Sequence, residues 1–398
     1  MSSPAPTSHT NWPIVALVVL AGIVCAAQLG KAHPALPLLR AEFELDLVSA
    51  GWLASIFVIF GASLGMTAGG LADRLGRERV LIGALMLLAM GAALGGMAST
   101  ASMLFFGRVI EGLAFTFIAA AGPGLIGQVS RAEDRARGLG FWSLYMPTGM
   151  GLAGLGAPLV LEQIGWRPLW WAGVVPALAL AIGLYAIGRS LPSAPAPAPL
   201  AANLRTMLAR PATWLLAISF GAYALQWFAV MTFVPTMAIE LGGMTPNQAA
   251  LAGALVVAVN APGNLLGIWA RTRGWPCWAV AGFTALGVAL VAQGIYADGL
   301  SFAWRYAAAL SFSFFCGLVP SSLFMATPLH SPSPAALSTL NGGMIQGSNI
   351  GGLIGPPAVA AVVTAAGGSW QGAGWLLLAC GGVGLAAGLV LRRLEARA

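Results

Sequence analysis

The sequence predicts an all-α membrane protein of twelve spans, arranged as two six-helix bundles. Three observations predict it: the composition, the count of long apolar segments and an internal repeat. Of 398 residues, 58% are hydrophobic and only 8% are charged. A soluble domain carries about 25% charged residues. A chain this apolar spans a bilayer repeatedly, and its backbone polar groups must then be satisfied inside helices.

Apolar segments fall at 13–38, 49–72, 80–98, 102–126, 137–161 and 168–188. A second six fall at 212–239, 247–270, 276–296, 302–326, 336–364 and 371–391. Each suffices to cross a hydrocarbon core of about 30 Å. Between the sets lies RSLPSAPAPAPLAANLRTMLARP, residues 189–211. Its Pro/Ala/Ser richness reads as a helix-free linker. The expected domains are therefore 1–188, a linker at 189–211, and 212–398. The N-terminal segment has no Lys or Arg before the first span and no small-residue cleavage pattern. It is expected to stay as a helix rather than be cleaved.

The two sets repeat at an offset near 198 residues. Pro13 matches Pro211, Gln28 matches Gln226, Gly69 matches Gly267, and Pro158 matches Pro356. At an offset of 197, Arg108 matches Arg305. Parallel repeats of this kind imply bundles related by an axis along the membrane normal, and alternating access around a central site.

The net charge of +7 does not point to nucleic acid, because the cations are dispersed over short loops. Fourteen arginines lie on the side of Gly69–Leu81, from Arg74 to Arg397; Arg40 and Arg167 lie opposite. The positive-inside rule places both termini in the cytoplasm. The four cysteines stand alone in apolar segments, with no metal or disulfide spacing. No phosphate-binding loop or nucleophile constellation occurs, so neither an enzyme nor an ATP-driven pump is expected. No cofactor is expected either.

The loop GGLADRLGRERVL, Gly69–Leu81, organises the chain. Gly69, Asp73, Arg74, Gly76, Arg77 and Arg79 stand in the pattern G-x-x-x-D-R-x-G-R-x-R. This resembles the loop 2–3 signature of the major facilitator superfamily, with Glu78 where a further basic residue is usual. Arg108 and Gly112 on the fourth span resemble the R-x-x-x-G motif of that family. The resemblance covers nearly the whole chain. It implies a secondary transporter whose Asp73 and Arg77 help to hold one conformational state, with Gly69, Arg74, Gly76, Arg79 and Arg108 as further gating residues. The fifth span carries Gly156, Ala157 and Pro158 rather than the Gly-Pro dipeptide of antiporter branches, so antiport is not inferred.

Charges inside spans are costly and are functional candidates by default. Lys31, the chain's one lysine, lies deep in the first span with Gln28 three residues before it, on the same face; His33 follows two residues later. The resemblance implies that Lys31 holds a substrate carboxylate or phosphate, and a lysine snorkelling to headgroups is the alternative. Glu111, three residues after Arg108, is the expected proton carrier, with His33 as a second candidate. A structural Arg–Glu pair competes with that reading. Tyr145, Gln226, Asn260 and Gln346 complete the expected substrate site, although amides also act as interhelical glue.

The function expected is proton-driven uptake of a small organic anion across the inner membrane by a monomer in contact with lipid. Efflux of drugs or other lipophilic compounds is the alternative within transport. A non-transporting receptor is the alternative from another class, and it would need an added signalling domain.

Overall fold

Proline positions set much of the local architecture. In the computed structural model, which describes residues 9–45, 47–188 and 199–395, four of the expected spans break into two helices. Each break lies three or four residues before a proline, whose missing N–H leaves the carbonyl four residues earlier without its helical donor. The first span is α1 (Trp12–Gly30) and α2 (Ala32–Phe43), broken at Lys31 ahead of Pro34. Next come α3 (Leu47–Leu75), α4 (Arg77–Gly96) and α5 (Ala101–Val129). The fifth span is α6 (Ala132–Trp142) and α7 (Tyr145–Ile164), broken ahead of Pro147, and α8 (Arg167–Gly188) follows.

After α9 (Leu200–Leu208) and α10 (Pro211–Glu240), α11 (Pro246–Ala258) and α12 (Asn260–Thr272) break ahead of Pro262. Then come α13 (Cys277–Tyr296), and α14 (Phe302–Cys316) with α15 (Leu318–His330), broken ahead of Pro320. A single 3-10 turn at Pro334–Ala336 leads into α16 (Leu337–Ala365), and α17 (Gln371–Glu395) closes the chain. Start signals are local. Asn11 accepts from the Ile14 amide at 3.2 Å, Thr100 caps α5, and Thr245 with Gln248 forms a capping box on α11.

Twelve helical segments among the described residues are long and apolar enough to cross a membrane, matching the twelve expected. No strand occurs among the described residues. Large apolar side chains face outward along them: Leu159, Val175, Ile182 and Trp304 are 73%, 72%, 68% and 70% exposed. Apolar surface on this scale suits lipid rather than water.

Two compact units emerge. One comprises residues 1–210 with 324–346, the other 211–323 with 347–398. Segment 324–346 thus packs with the first unit, although the sequence reading assigns it to the second bundle. The linker reading needs a correction as well. Residues 189–198 lie outside the described residues, but Leu200–Leu208 is the helix α9, with Met207 and Asn203 buried.

Within the first unit, α5 is the most enclosed helix and packs on α1, α3 and α4. At one end of this unit, Glu42 at the tip of α2 accepts from Trp166 Nε1 at 2.7 Å and from Arg167 Nη2 at 2.6 Å. The Arg167 hydrogen bond holds the Glu42 carboxyl below its ordinary value, with the Trp166 bond adding to it. Both partners are more than a third exposed, so the pair contributes at most about 1 kcal/mol. A depressed carboxylate contributes stability above its unfolded pKa and loses it as pH falls through the folded value. Arg167→Gln should therefore lower the melting temperature slightly at pH 7. The deficit should shrink as pH drops below about 4, the ordinary carboxylate range.

The second unit is tied by amides. Asn260 Nδ2 donates to the Ser313 carbonyl at 2.8 Å, Asn264 Nδ2 donates to Asn260 Oδ1 at 2.8 Å, and Trp227 Nε1 donates to Ser313 Oγ at 3.2 Å. These bonds join α10 and α12 to α14.

Candidate functional site

The break after α1 places Lys31 where its ammonium turns into the first unit. It is 2% exposed, and its Nζ donates to Glu111 Oε1 of α5 at 2.6 Å. It also donates to Gln28 Oε1, and it lies 4.4 Å from the Trp170 ring centre on α8. The other Glu111 oxygen accepts from Arg108 Nη1 at 2.7 Å. Arg108 Nη1 also donates to the Gln28 carbonyl at 2.7 Å, and the guanidinium stands 4.6 Å from the Phe57 ring centre. Arg108 and Glu111 are fully buried.

One carboxylate thus meets two cations in a buried site, so the cluster carries an excess of one positive charge when all three groups are ionised. Its donors are also in excess, because Arg108 Nη2 is buried with no hydrogen-bond partner. Buried ions are stable only when paired and hydrogen-bonded. This site is short of one acceptor.

A second network joins α3 and α4 to the start of α16, within the same unit. Asp73 Oδ2 accepts from the Thr339 amide at 2.8 Å and from Thr339 Oγ1 at 2.7 Å. Asp73 Oδ1 accepts from Arg77 Nε at 3.0 Å, from Arg77 Nη2 at 2.8 Å and from the Ser338 amide at 3.3 Å. Arg77 further donates to Ser338 Oγ at 3.0 Å, to the Gly124 carbonyl at 3.1 Å and to the Pro334 carbonyl. Two glycines make this possible. Gly76 takes a φ of +98° between α3 and α4, a region that suits glycine. Gly124 leaves room for Arg77 and Ser338, since a Cβ there would lie 1.8 Å from Ser338 Oγ. Arg74 and Arg79 are exposed.

The structure brings together Lys31, Gln28, Arg108 and Glu111 but not all of the expected site. His33 is exposed and makes no part of the cluster. Arg108 belongs to the buried cluster and not to the Asp73 network. Tyr145 is buried against α1 and stacks on Trp142 with ring centres 4.5 Å apart. Gln346 is half-buried, and its Nε2 donates to the Ser63 carbonyl at 3.3 Å. Gln226 and Asn260 lie in the second unit, where Asn260 is occupied with Ser313 and Gln226 Oε1 has no partner. Sequence reasoning missed Trp170, Ser338 and Thr339. No local spacing marks any of them, because each partner lies far along the chain.

Twelve apolar helices among the described residues, a buried charge cluster and a polar network at the loop Gly69–Leu81 define a multi-pass membrane protein of the transporter class. The chain belongs to the major facilitator superfamily, whose family model matches residues 17–356. It is a transporter and not an enzyme. It is 28% identical to a 2-nitroimidazole transporter of Escherichia coli, over 70% of this chain and 72% of that one. It is 31% identical to a probable 4-methylmuconolactone transporter of Cupriavidus pinatubonensis, over 36% of this chain and 34% of that one. The match thus spans about a third of that relative. The fold is that of the Escherichia coli fucose:proton symporter, with a TM-score of 0.78 and 18% identity, covering 96% of this chain and 98% of the symporter.

Proposed function

We propose that this transporter takes up a small organic anion together with a proton, by alternating access. The observation that carries the reading is the Lys31–Glu111–Arg108 cluster, with one positive charge and one donor too many. An incoming carboxylate supplies both the missing charge and the missing acceptor. The anion competes with Glu111 for Lys31, and Glu111 keeps only Arg108. Glu111, released by Lys31, is the proton carrier in this reading, and anion and proton sites in one cluster couple the two movements. His33 is a second proton acceptor on the same span.

Tyr145 and Gln346, in the same unit as the cluster, orient the rest of the solute. The Asp73–Arg77 network, with Gly69, Arg74, Gly76 and Arg79 around it, acts as a latch that must open in each cycle. The monomer sits in the inner membrane with both termini in the cytoplasm, on the side of Gly69–Leu81.

Uptake by proteoliposomes tests the reading. A panel of labelled small carboxylates, neutral sugars and lipophilic cations is compared with and without an inward proton gradient. A carboxylate should accumulate only with the gradient, and Lys31→Gln should lower that uptake at least tenfold. Gradient-driven movement of lipophilic cations alone, unchanged in Lys31→Gln, would overturn the anion reading in favour of drug efflux.

A further inference from the structure

At the end of the first unit that carries the Asp73–Arg77 network, a cavity of about 150 Å³ opens among Arg77, Gly127, Arg135, Ser331, Ser333 and Leu337. It is too small for a drug-sized ligand, which needs about 300–1,000 Å³. Its lining is cationic. Arg77 is already spent on Asp73, Ser338 and two carbonyls. Arg135 is half-buried, and its Nε donates to the Gly127 carbonyl at 3.0 Å.

Arg135 has no carboxylate partner among the described residues, and the nearby acids are committed elsewhere. Asp73 is filled by Arg77, Ser338 and Thr339. Glu133 pairs with Arg131 at 3.1 Å, and Asp134 Oδ2 accepts from Thr10 Oγ1 at 2.6 Å. The opposite wall is the turn 331–334, where Ser331 Oγ donates to the Ser333 carbonyl at 2.8 Å. Arg135 and the 331–334 turn line one small concavity, and a guanidinium fork in such a concavity matches the oxygens of a tetrahedral oxyanion.

We propose that this cavity binds a phosphate group, held by Arg135 and the 331–334 turn. Phosphate there bridges α6 to the segment entering α16, beside the latch, and so stabilises the latched arrangement. The group comes either from free phosphate or from the headgroup of an anionic lipid.

Thermal unfolding of the full-length protein separates the sources. One arm titrates inorganic phosphate in detergent against chloride at equal ionic strength. The other compares phosphatidylcholine vesicles with and without phosphatidylglycerol. Arg135→Gln is the test variant, and Arg137→Gln, at an exposed position, is the control. Stabilisation by phosphate, by phosphatidylglycerol or by both supports the site and names its source. In either case Arg135→Gln should weaken the apparent affinity at least tenfold and Arg137→Gln should not. Should Arg135→Gln fail to fold, Ser333→Asp, at the exposed rim, should lower the response through like charge. No stabilisation in either arm, or an equal response in Arg135→Gln, would overturn the proposal. Neither result bears on anion uptake at Lys31, since the cavity shares no residue with that cluster.

Discussion

Glu111→Gln is expected to destabilise the purified transporter by about 3–5 kcal/mol, the cost of leaving buried charge unpaired. The substitution keeps the shape and removes the one carboxylate that Lys31 and Arg108 share. Two cations then remain in a buried site, 2% and 0% exposed. Lys31→Met should behave quite differently. It leaves the Arg108–Glu111 pair intact, one cation to one anion. The methionine retains most of the lysine's volume, and its sulfur still meets the Trp170 ring. What is lost is the lysine donor to the buried Gln28 and Glu111 oxygens, a cost of about 1–3 kcal/mol, below that of Glu111→Gln. Thermal or denaturant unfolding of both variants gives the order. If Lys31→Met proves the more damaging, the cluster is not over-supplied with cations, and the argument for an anionic substrate falls with it.

The spans were legible because a run of about 20 apolar residues has little choice in a bilayer. Their interruptions were only half legible. Pro34, Pro147, Pro262 and Pro320 each follow a break, whereas Pro123, Pro158 and Pro176 sit inside continuous helices. Whether a proline breaks or bends a helix depends on what neighbouring helices donate to the freed carbonyl, and one segment's sequence does not contain that. The linker was misread because two compositions were averaged. The Pro/Ala-rich stretch ends near 199, and LAANLRTML then places Leu200, Leu204 and Met207 at helical spacing. Gly70 gives it a seat, since a Cβ there would lie 2.3 Å from Leu200 Cδ1.

At the site, the local pairs were readable. Gln28 with Lys31 and Arg108 with Glu111 follow from three-residue spacing. That the two pairs form one cluster is a fact of packing between helices 80 residues apart. Trp170 and Thr339 are beyond such reasoning for the same cause.

Asp73→Asn should open the latch. The carboxylate accepts five hydrogen bonds, from Arg77, Ser338 and Thr339. An asparagine offers one oxygen and no charge, and its amide nitrogen would face donors. Arg77 keeps its bonds to Ser338, Gly124 and Pro334 but loses the carboxylate it pairs with. Charged hydrogen bonds contribute about 1.5–3 kcal/mol each, and each 1.4 kcal/mol is a tenfold change in an equilibrium. A reporter at Leu340 reads that change, because the side chain is fully buried one residue beyond Thr339 and makes no polar contact. With Cys380 replaced by serine, a Leu340→Cys thiol should be labelled at least tenfold faster in Asp73→Asn than in the parent, as the buried start of α16 becomes accessible by local opening. Arg74→Gln should leave the rate unchanged, since Arg74 is exposed. The two arginines share the loop's charge but not its contacts, so the comparison separates a latch from a merely positive loop. Equal acceleration by both variants would mean that Asp73 acts only through the loop's electrostatics. No acceleration by Asp73→Asn would mean that α16 is held by its apolar packing and not by this network.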